Sequence, residues 1–132
     1  PAVADPLARY AAFLQGTALT ERLGYEVLDR VVGRGGAGIF STGAATRSNP
    51  WMQLRADVSG RCFFRPAHPE AAFGSAVLAA SQSHFDSVWT AVEAMVRIEH
   101  RFEPDLLRTR EYDEHYGAFT RLLAAKGYLP PD

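Results

Sequence analysis

Ile39-Phe40-Ser41-Thr42-Gly43-Ala44-Ala45-Thr46-Arg47-Ser48-Asn49-Pro50-Trp51-Met52-Gln53-Leu54-Arg55-Ala56-Asp57 is the stretch that decides the fold. It reads as a short apolar strand, a turn of small residues, and an amphipathic helix opening at Asn49-Pro50. A strand that runs through a glycine turn into a helix N-terminus presents unpaired backbone N–H groups and the positive end of the helix dipole. That arrangement suits a phosphate or another anion. An ordinary strand-to-helix turn has the same outline, so the stretch assigns an α/β class before it assigns a ligand.

Upstream, Asp5-Pro6 is a helix start, with Asp5 as N-cap and proline at the first helical position. The spacing of Leu7, Tyr10, Leu14, Ala18, Leu23, Val27 and Leu28 carries that helix to Val32. Gly16 and Gly24 lie inside it at a cost of about 1 kcal/mol each relative to alanine. Their presence predicts another backbone packed close by. The segment Gly33-Arg34-Gly35-Gly36-Ala37-Gly38 has the glycine content of a dinucleotide fingerprint but precedes a strand instead of following one. It therefore reads as a helix-to-strand connection.

Downstream, the strand at 38–42 and the helix at about 50–59 are followed by Gly60 as a stop. A second strand is expected at 61–65, ending before Pro66. Pro69-Glu70 starts a helix with a small-residue face: Ala71, Ala72, Gly74, Ser75, Ala76, Ala79 and Ala80. Asp86 is expected to cap a further helix carrying Val88, Trp89, Val92, Met95 and Val96. Glu103-Pro104-Asp105 opens the last helix, with Leu106, Tyr112, Tyr116, Phe119 and Leu123 on its apolar side and Lys126-Gly127 at its end. The expected architecture is α/β with two strands and flanking helices. Two strands are too few for a stable sheet, which implies part of a larger one.

The 132 residues fit one domain, and 47% hydrophobic with 22% charged content is ordinary for a globular protein. The net charge is −1, and the 14 basic residues, of which Lys126 is the one lysine, are scattered along the chain. No basic stripe points to nucleic acid, and no apolar run approaches the span of a bilayer. The single cysteine, Cys62, lies in the apolar run Cys62-Phe63-Phe64 and reads as a buried small hydrophobe. The opening residues Pro1 to Pro6 show neither a basic n-region nor an apolar h-region. Together these features make a reducing, cytoplasmic setting the expectation.

Candidate chemistry is sparse. His68, His84, His100 and His115 have no metal-ligand spacing with one another or with Cys62. Ser41, Ser48 and Ser75 lack a nucleophile-elbow context. Glu111, Asp113 and Glu114 read as a solvated helix face, and Trp51 and Trp89 sit at core spacing. Gln53 and Asp57 share one helix face and can hold the preceding loop or meet a ligand, with the structural role favoured. No residue within reach of the Gly43 turn is a convincing general base.

Taken in order, several segments resemble the C-terminal domain of FGGY-type carbohydrate kinases. Ser41-Thr42-Gly43-Ala44-Ala45-Thr46-Arg47-Ser48 followed by Trp51-Met52-Gln53-Leu54-Arg55-Ala56-Asp57 is similar to the family's T-G-G-G/A-x-x-S and W-x-Q-x-x-A-D stretches. Arg9 to Ala18 is similar to its helix Y-R-A-x-L-E-G-x-A, and Glu70 to Ala80 to its E-A-A-x-G-A-A-x-L-A-A. Glu103-Pro104-Asp105 and the Tyr112/Tyr116 helix match its C-terminal end.

The resemblance implies a portion of an RNase H-like, actin-like ATPase domain spanning residues 1–132, most like the xylulose and ribulose kinases. It implies a nucleotide contact at Gly43, Ala44 and Ser48, and transfer of phosphate from Mg-ATP to a sugar hydroxyl, a pentulose or a related sugar. The catalytic aspartate, the sugar-binding residues, most of the Mg site and an N-terminal kinase domain would lie outside these residues, so the chain alone is expected to be inactive. Ala44 stands where the family has a second glycine, which a positive φ or a close phosphate would favour. Gln15 and Ala11 are milder departures. The alternative expectation is a degenerate, non-catalytic assembly module, with a homodimer pairing the exposed sheet edges.

Overall fold

The computed structural model describes residues 5–33 and 38–129. Residues 1–4, residues 34–37 of the glycine-rich connection, and residues 130–132 lie outside that set. The first helix, α1, runs over Pro6–Val32, and the Asp5 carboxylate accepts the N–H groups of Leu7 and Ala8 at 3.1 and 3.3 Å. The cap pairs two of the N–H groups that a helix start leaves without partners. Gly16 and Gly24 face open space, so the close neighbour expected from them is absent among the described residues.

Strand β1 (Ile39–Phe40) runs parallel to β2 (Phe63–Pro66), pairing Ile39 with Phe63 and Phe40 with Phe64. The approach just before β1 is tight, since a Cβ at Gly38 would sit 2.6 Å from the Cys62 carbonyl oxygen. A third strand, β3 (Ile98–Phe102), adds antiparallel on the other side of β2 and gives the order β1-β2-β3. The expectation of two strands is thereby corrected. Four of the five β3 residues are exposed, and only Phe102 is buried. An edge strand with so little apolar content carries a weak sequence signal and owes its conformation to pairing with β2. The β2–β3 register shifts between Arg65 and Pro66, where proline has no N–H to donate to the ladder.

Helix α2 (Asn49–Ser59) ends at Gly60, whose φ of 64° is the left-handed cap that glycine adopts without strain. One face of the sheet lies under this helix: Met52, Ala56, Phe63 and Phe102 form a buried cluster, with Tyr25 and Ile39 packed against it. A second cluster joins α1 and α2 to the last helix, α5 (Leu106–Ala125), through Ala18, Leu19, Val58 and Tyr116. Leu23, Trp51, Leu54, Tyr112 and Phe119 flank it, so the core reading of Trp51 holds. Burying Phe63, Met52 or Val58 stabilises the fold by about 1.5–3 kcal/mol each.

Strand alternation puts Phe40 and Phe64 on the opposite face, where their rings stack at 5.0 Å with the Arg101 guanidinium over Phe64. Helices α3 (Ala71–Ser81) and α4 (Val88–Met95) pack mainly on each other beside that face. An apolar groove of about 700 Å³ remains among Phe40, Phe73, Val77, Trp89 and Val96. Trp89 is 78% exposed, which corrects its placement in a core. The cap of α4 is Ser87, not Asp86: the Ser87 hydroxyl accepts the Thr90 N–H at 3.1 Å while the Thr90 hydroxyl accepts the Ser87 N–H at 3.0 Å. Cys62 is buried as expected, with the Arg101 Nε–H donating to its sulfur at 3.1 Å. Among the described residues no helix is long and apolar enough to cross a membrane.

Candidate functional site

Between β1 and α2 the chain turns through Gly43 and a single 3-10 turn over Ala44–Arg47. Gly43 has φ 93°, a conformation that favours glycine, and its N–H donates to the Pro69 carbonyl at 2.6 Å. One donor of the turn is thus spent on the protein itself. The Gly43 carbonyl accepts both the Thr46 N–H at 3.1 Å and the Thr46 hydroxyl at 2.7 Å, which locks the turn from inside. Thr46 is fully buried, whereas residues 42–45 and 47–50 are exposed. The Ala44 and Ala45 N–H groups have no acceptor among the described residues, and both residues are exposed.

No non-glycine residue described has positive φ, so Ala44 carries no backbone strain. The positive φ belongs to Gly43, and a side chain at position 44 is conformationally free of cost. Ser48 is the N-cap of α2, its hydroxyl 3.4 Å from the Trp51 N–H. Gly43, Ala44 and Ser48 therefore share one exposed loop at the start of a helix, where the dipole and unpaired donors favour an anion.

Three arginines frame this loop, none of them singled out by the sequence reading of the site. Arg47 reaches Glu70, at the start of α3, at 2.7 Å. Its hydrogen bond, together with one from the Glu70 backbone, holds that carboxyl below the ordinary value of 4.5. Arg55 donates to the buried Ser41 hydroxyl at 3.0 Å and pairs with Glu21 of α1, tying α1, β1 and α2 together. Arg65 donates from one nitrogen to the Thr46 carbonyl at 3.1 Å and the Asn49 side-chain oxygen at 2.8 Å. The Arg65 and Arg47 contacts join residues 16 to 23 apart in sequence, so no local spacing signals them.

Gln53 and Asp57 do pair, at 2.8 Å, but they hold the segment that follows β3, not the loop before α2. The Gln53 amide also donates to the Glu103 carbonyl at 2.7 Å, and the fully buried Asp57 accepts the Asp105 N–H at 2.9 Å. Arg108 stands 3.7 Å from the second Asp57 oxygen. In the acidic patch of α5, Asp113 pairs with Arg22 at 2.8 Å while Glu111 and Glu114 stay exposed. Among the described residues no three His, Cys, Asp or Glu side chains gather as a metal site. The donor set at the turn fits an anion such as a nucleotide phosphate. It does not by itself fit Mg, a hard cation that takes oxygen ligands.

A parallel strand pair crossed by a helix, with a glycine turn at the strand's end, is an α/β unit common to many folds; here the solved relatives, carbohydrate kinases of the actin-like ATPase fold, make it a piece of that fold. The C-terminal domain model of the FGGY family of carbohydrate kinases matches residues 3–83, and the chain belongs to that family. It is 29% identical over 96 residues to a xylulose kinase of Staphylococcus epidermidis, covering 71% of this chain and 19% of that protein. It is 40% identical over 77 residues to a glycerol kinase of Nitratidesulfovibrio vulgaris, covering 57% and 16%. The crystal structure of a xylulose kinase from Rhodospirillum rubrum superimposes with a TM-score of 0.76 at 31% identity, over 95% of this chain and 26% of that one. The chain thus spans about a fifth of the curated xylulose kinase and about a quarter of the solved one.

Proposed function

We propose that residues 1–132 are the C-terminal, ATP-side portion of a sugar kinase that phosphorylates a carbohydrate hydroxyl, a pentulose, with Mg-ATP. The observation that carries this reading is the family match over residues 3–83, which includes the whole 43–48 loop. The kinship with xylulose kinases favours a pentulose. The loop chemistry agrees: Gly43 and Thr46 shape the turn, the exposed Ala44 offers an N–H with no acceptor among the described residues, and Ser48 caps the helix whose dipole faces the phosphates. Phosphoryl transfer draws its rate mainly from positioning and charge stabilisation, so a lobe without a base can still contribute half of the cleft. Mg would be held by the nucleotide and by residues outside this chain, as would the catalytic aspartate and the sugar.

Calorimetric titration of the 132-residue chain with Mg-ATP tests this. Binding at millimolar affinity or tighter, abolished by Ala44→Asp, is expected, with no sugar-dependent ATP hydrolysis by the chain alone. Ala44→Asp is the cleaner variant, because Ser48→Ala also removes a helix cap. Absence of nucleotide binding in a folded chain that forms a stable dimer would overturn the proposal in favour of a non-catalytic assembly module. Sugar-dependent turnover by the isolated chain would overturn the expectation that it is silent.

A further inference from the structure

We infer that Arg65 is the positioning residue of the nucleotide-side loop, an inference that rests on the function proposed above. Arg65 leaves β2 next to the bulge at Pro66, with its guanidinium carbon over the Phe102 ring, 5.7 Å from its centroid. Its side chain is 13% exposed. From there it does two separate things. The Nε–H donates to Glu99 of β3 at 2.7 Å, which balances the charge from the sheet side. The outer nitrogen donates to the Thr46 carbonyl, inside the 3-10 turn, and to the Asn49 side chain, the first residue of α2.

Those two acceptors straddle Ser48. One guanidinium therefore sets the angle between the turn that carries Ala44 and the helix that Ser48 caps. The other constraints on the turn are its internal Thr46–Gly43 bonds, the Gly43–Pro69 contact at its start and the exposed Arg47–Glu70 pair at its end. Arg65 alone ties the far end of the turn to the sheet among the described residues. A guanidinium suits this task because its donors are held in a fixed plane, and bonds from a charged donor are the stronger kind. A lysine ammonium is a single point and cannot occupy the Nε and outer-nitrogen positions together. Arg65 touches no nucleotide in this account and acts through the loop.

The test uses the 132-residue chain and three variants. Arg65→Met keeps the stem beside Phe102 and removes every donor, Arg65→Lys keeps the charge, and Glu99→Gln removes only the negative charge of the sheet-side acceptor. Mg-ATP titration should give a Kd roughly tenfold weaker for Arg65→Met, an intermediate loss for Arg65→Lys, and a change within about twofold for Glu99→Gln. Amide exchange should speed up at residues 44–49 in Arg65→Met while the α1–α5 contact keeps its protection, a pattern that general destabilisation does not produce. Unchanged affinity in Arg65→Met, or unchanged exchange at 44–49, overturns the inference. If the unmodified chain fails to bind ATP, the function proposal falls; exchange at 44–49 then still judges whether Arg65 sets the loop.

Discussion

The two sides of the sheet end up in opposite conditions, although the helices of the open side, α3 and α4, are the more apolar ones. Under α1, α2 and α5, Met52, Ala56 and Phe63 are 0% exposed. Beside α3 and α4, Phe40 is 64% and Trp89 78% exposed around an open groove. Helix α3 is apolar around most of its surface, the pattern of a helix buried on all sides, yet only Val77 and Ser81 are buried. Periodicity and composition state which surface is apolar. They do not state whether the same stretch of chain supplies the partner, and a groove of this kind is where that difference becomes visible.

The sharpest way to break the comparison is to truncate one aromatic on each side. Phe63→Ala should lower stability by about 3–5 kcal/mol, because the ring fills a closed core and leaves a cavity. Trp89→Ala should stay within about 0.5 kcal/mol, since most of its ring already meets water. Urea denaturation of both variants checks this, and equal losses would erase the distinction between a closed and an open side.

How much of this was legible beforehand follows the same division between local and distant causes. The ends of α1, α2 and α5 could be read because Asp5, Gly60 and Asp105 act within one turn of themselves. β3 could not, because Ile98-Glu99-His100-Arg101-Phe102 becomes a strand only through β2. The α4 cap moved by one residue because Ser87 gains a reciprocal partner in Thr90, which Asp86 lacks. In the loop, the turn and its glycine were legible. Arg65 was not, because its partners come from another strand and a helix start. Of the two reasons for a glycine at position 44, a positive φ does not apply, because that conformation sits one residue earlier, at Gly43.

Alkaline pH sharpens the comparison more gently, since the buried Tyr116 and the half-buried Tyr25 lie on the closed side. Burial and the Glu21 carboxylate push Tyr25 up to about 12, and burial with Glu26 does the same to Tyr116. The Tyr116 hydroxyl donates to Glu26 at 2.9 Å and so bridges α5 to α1. A folded-state value above the ordinary 10.0 means that the stabilisation is complete below pH 10 and is lost as pH rises from 10 toward 12. The expected loss is about 1 kcal/mol per tyrosine once solvent screening is allowed for. Thermal unfolding between pH 9 and pH 12, two values chosen to bracket about the ordinary tyrosine range, should slope downward and flatten in Tyr116→Phe. A slope unchanged in Tyr25→Phe and Tyr116→Phe would assign the effect elsewhere.

The smallest effect is expected where the two sides meet. Arg47 of the loop and Glu70 before α3 form an exposed pair at 2.7 Å, beside the Gly43–Pro69 bond. The Arg47 hydrogen bond and one from the Glu70 backbone lower the Glu70 carboxyl below 4.5. A depressed folded-state value contributes stability above the unfolded value, and that contribution fades as pH falls through the folded one. Global stability should barely register a pair this exposed. Local protection should: the protection factor, exchange corrected for its intrinsic pH dependence, is expected to fall at the start of α3 below pH 4.5 in the unmodified chain and to stay constant in Glu70→Gln. Loss of protection throughout α1 and α5 over the same range would mean that the closed side, and not this junction, is what acid opens.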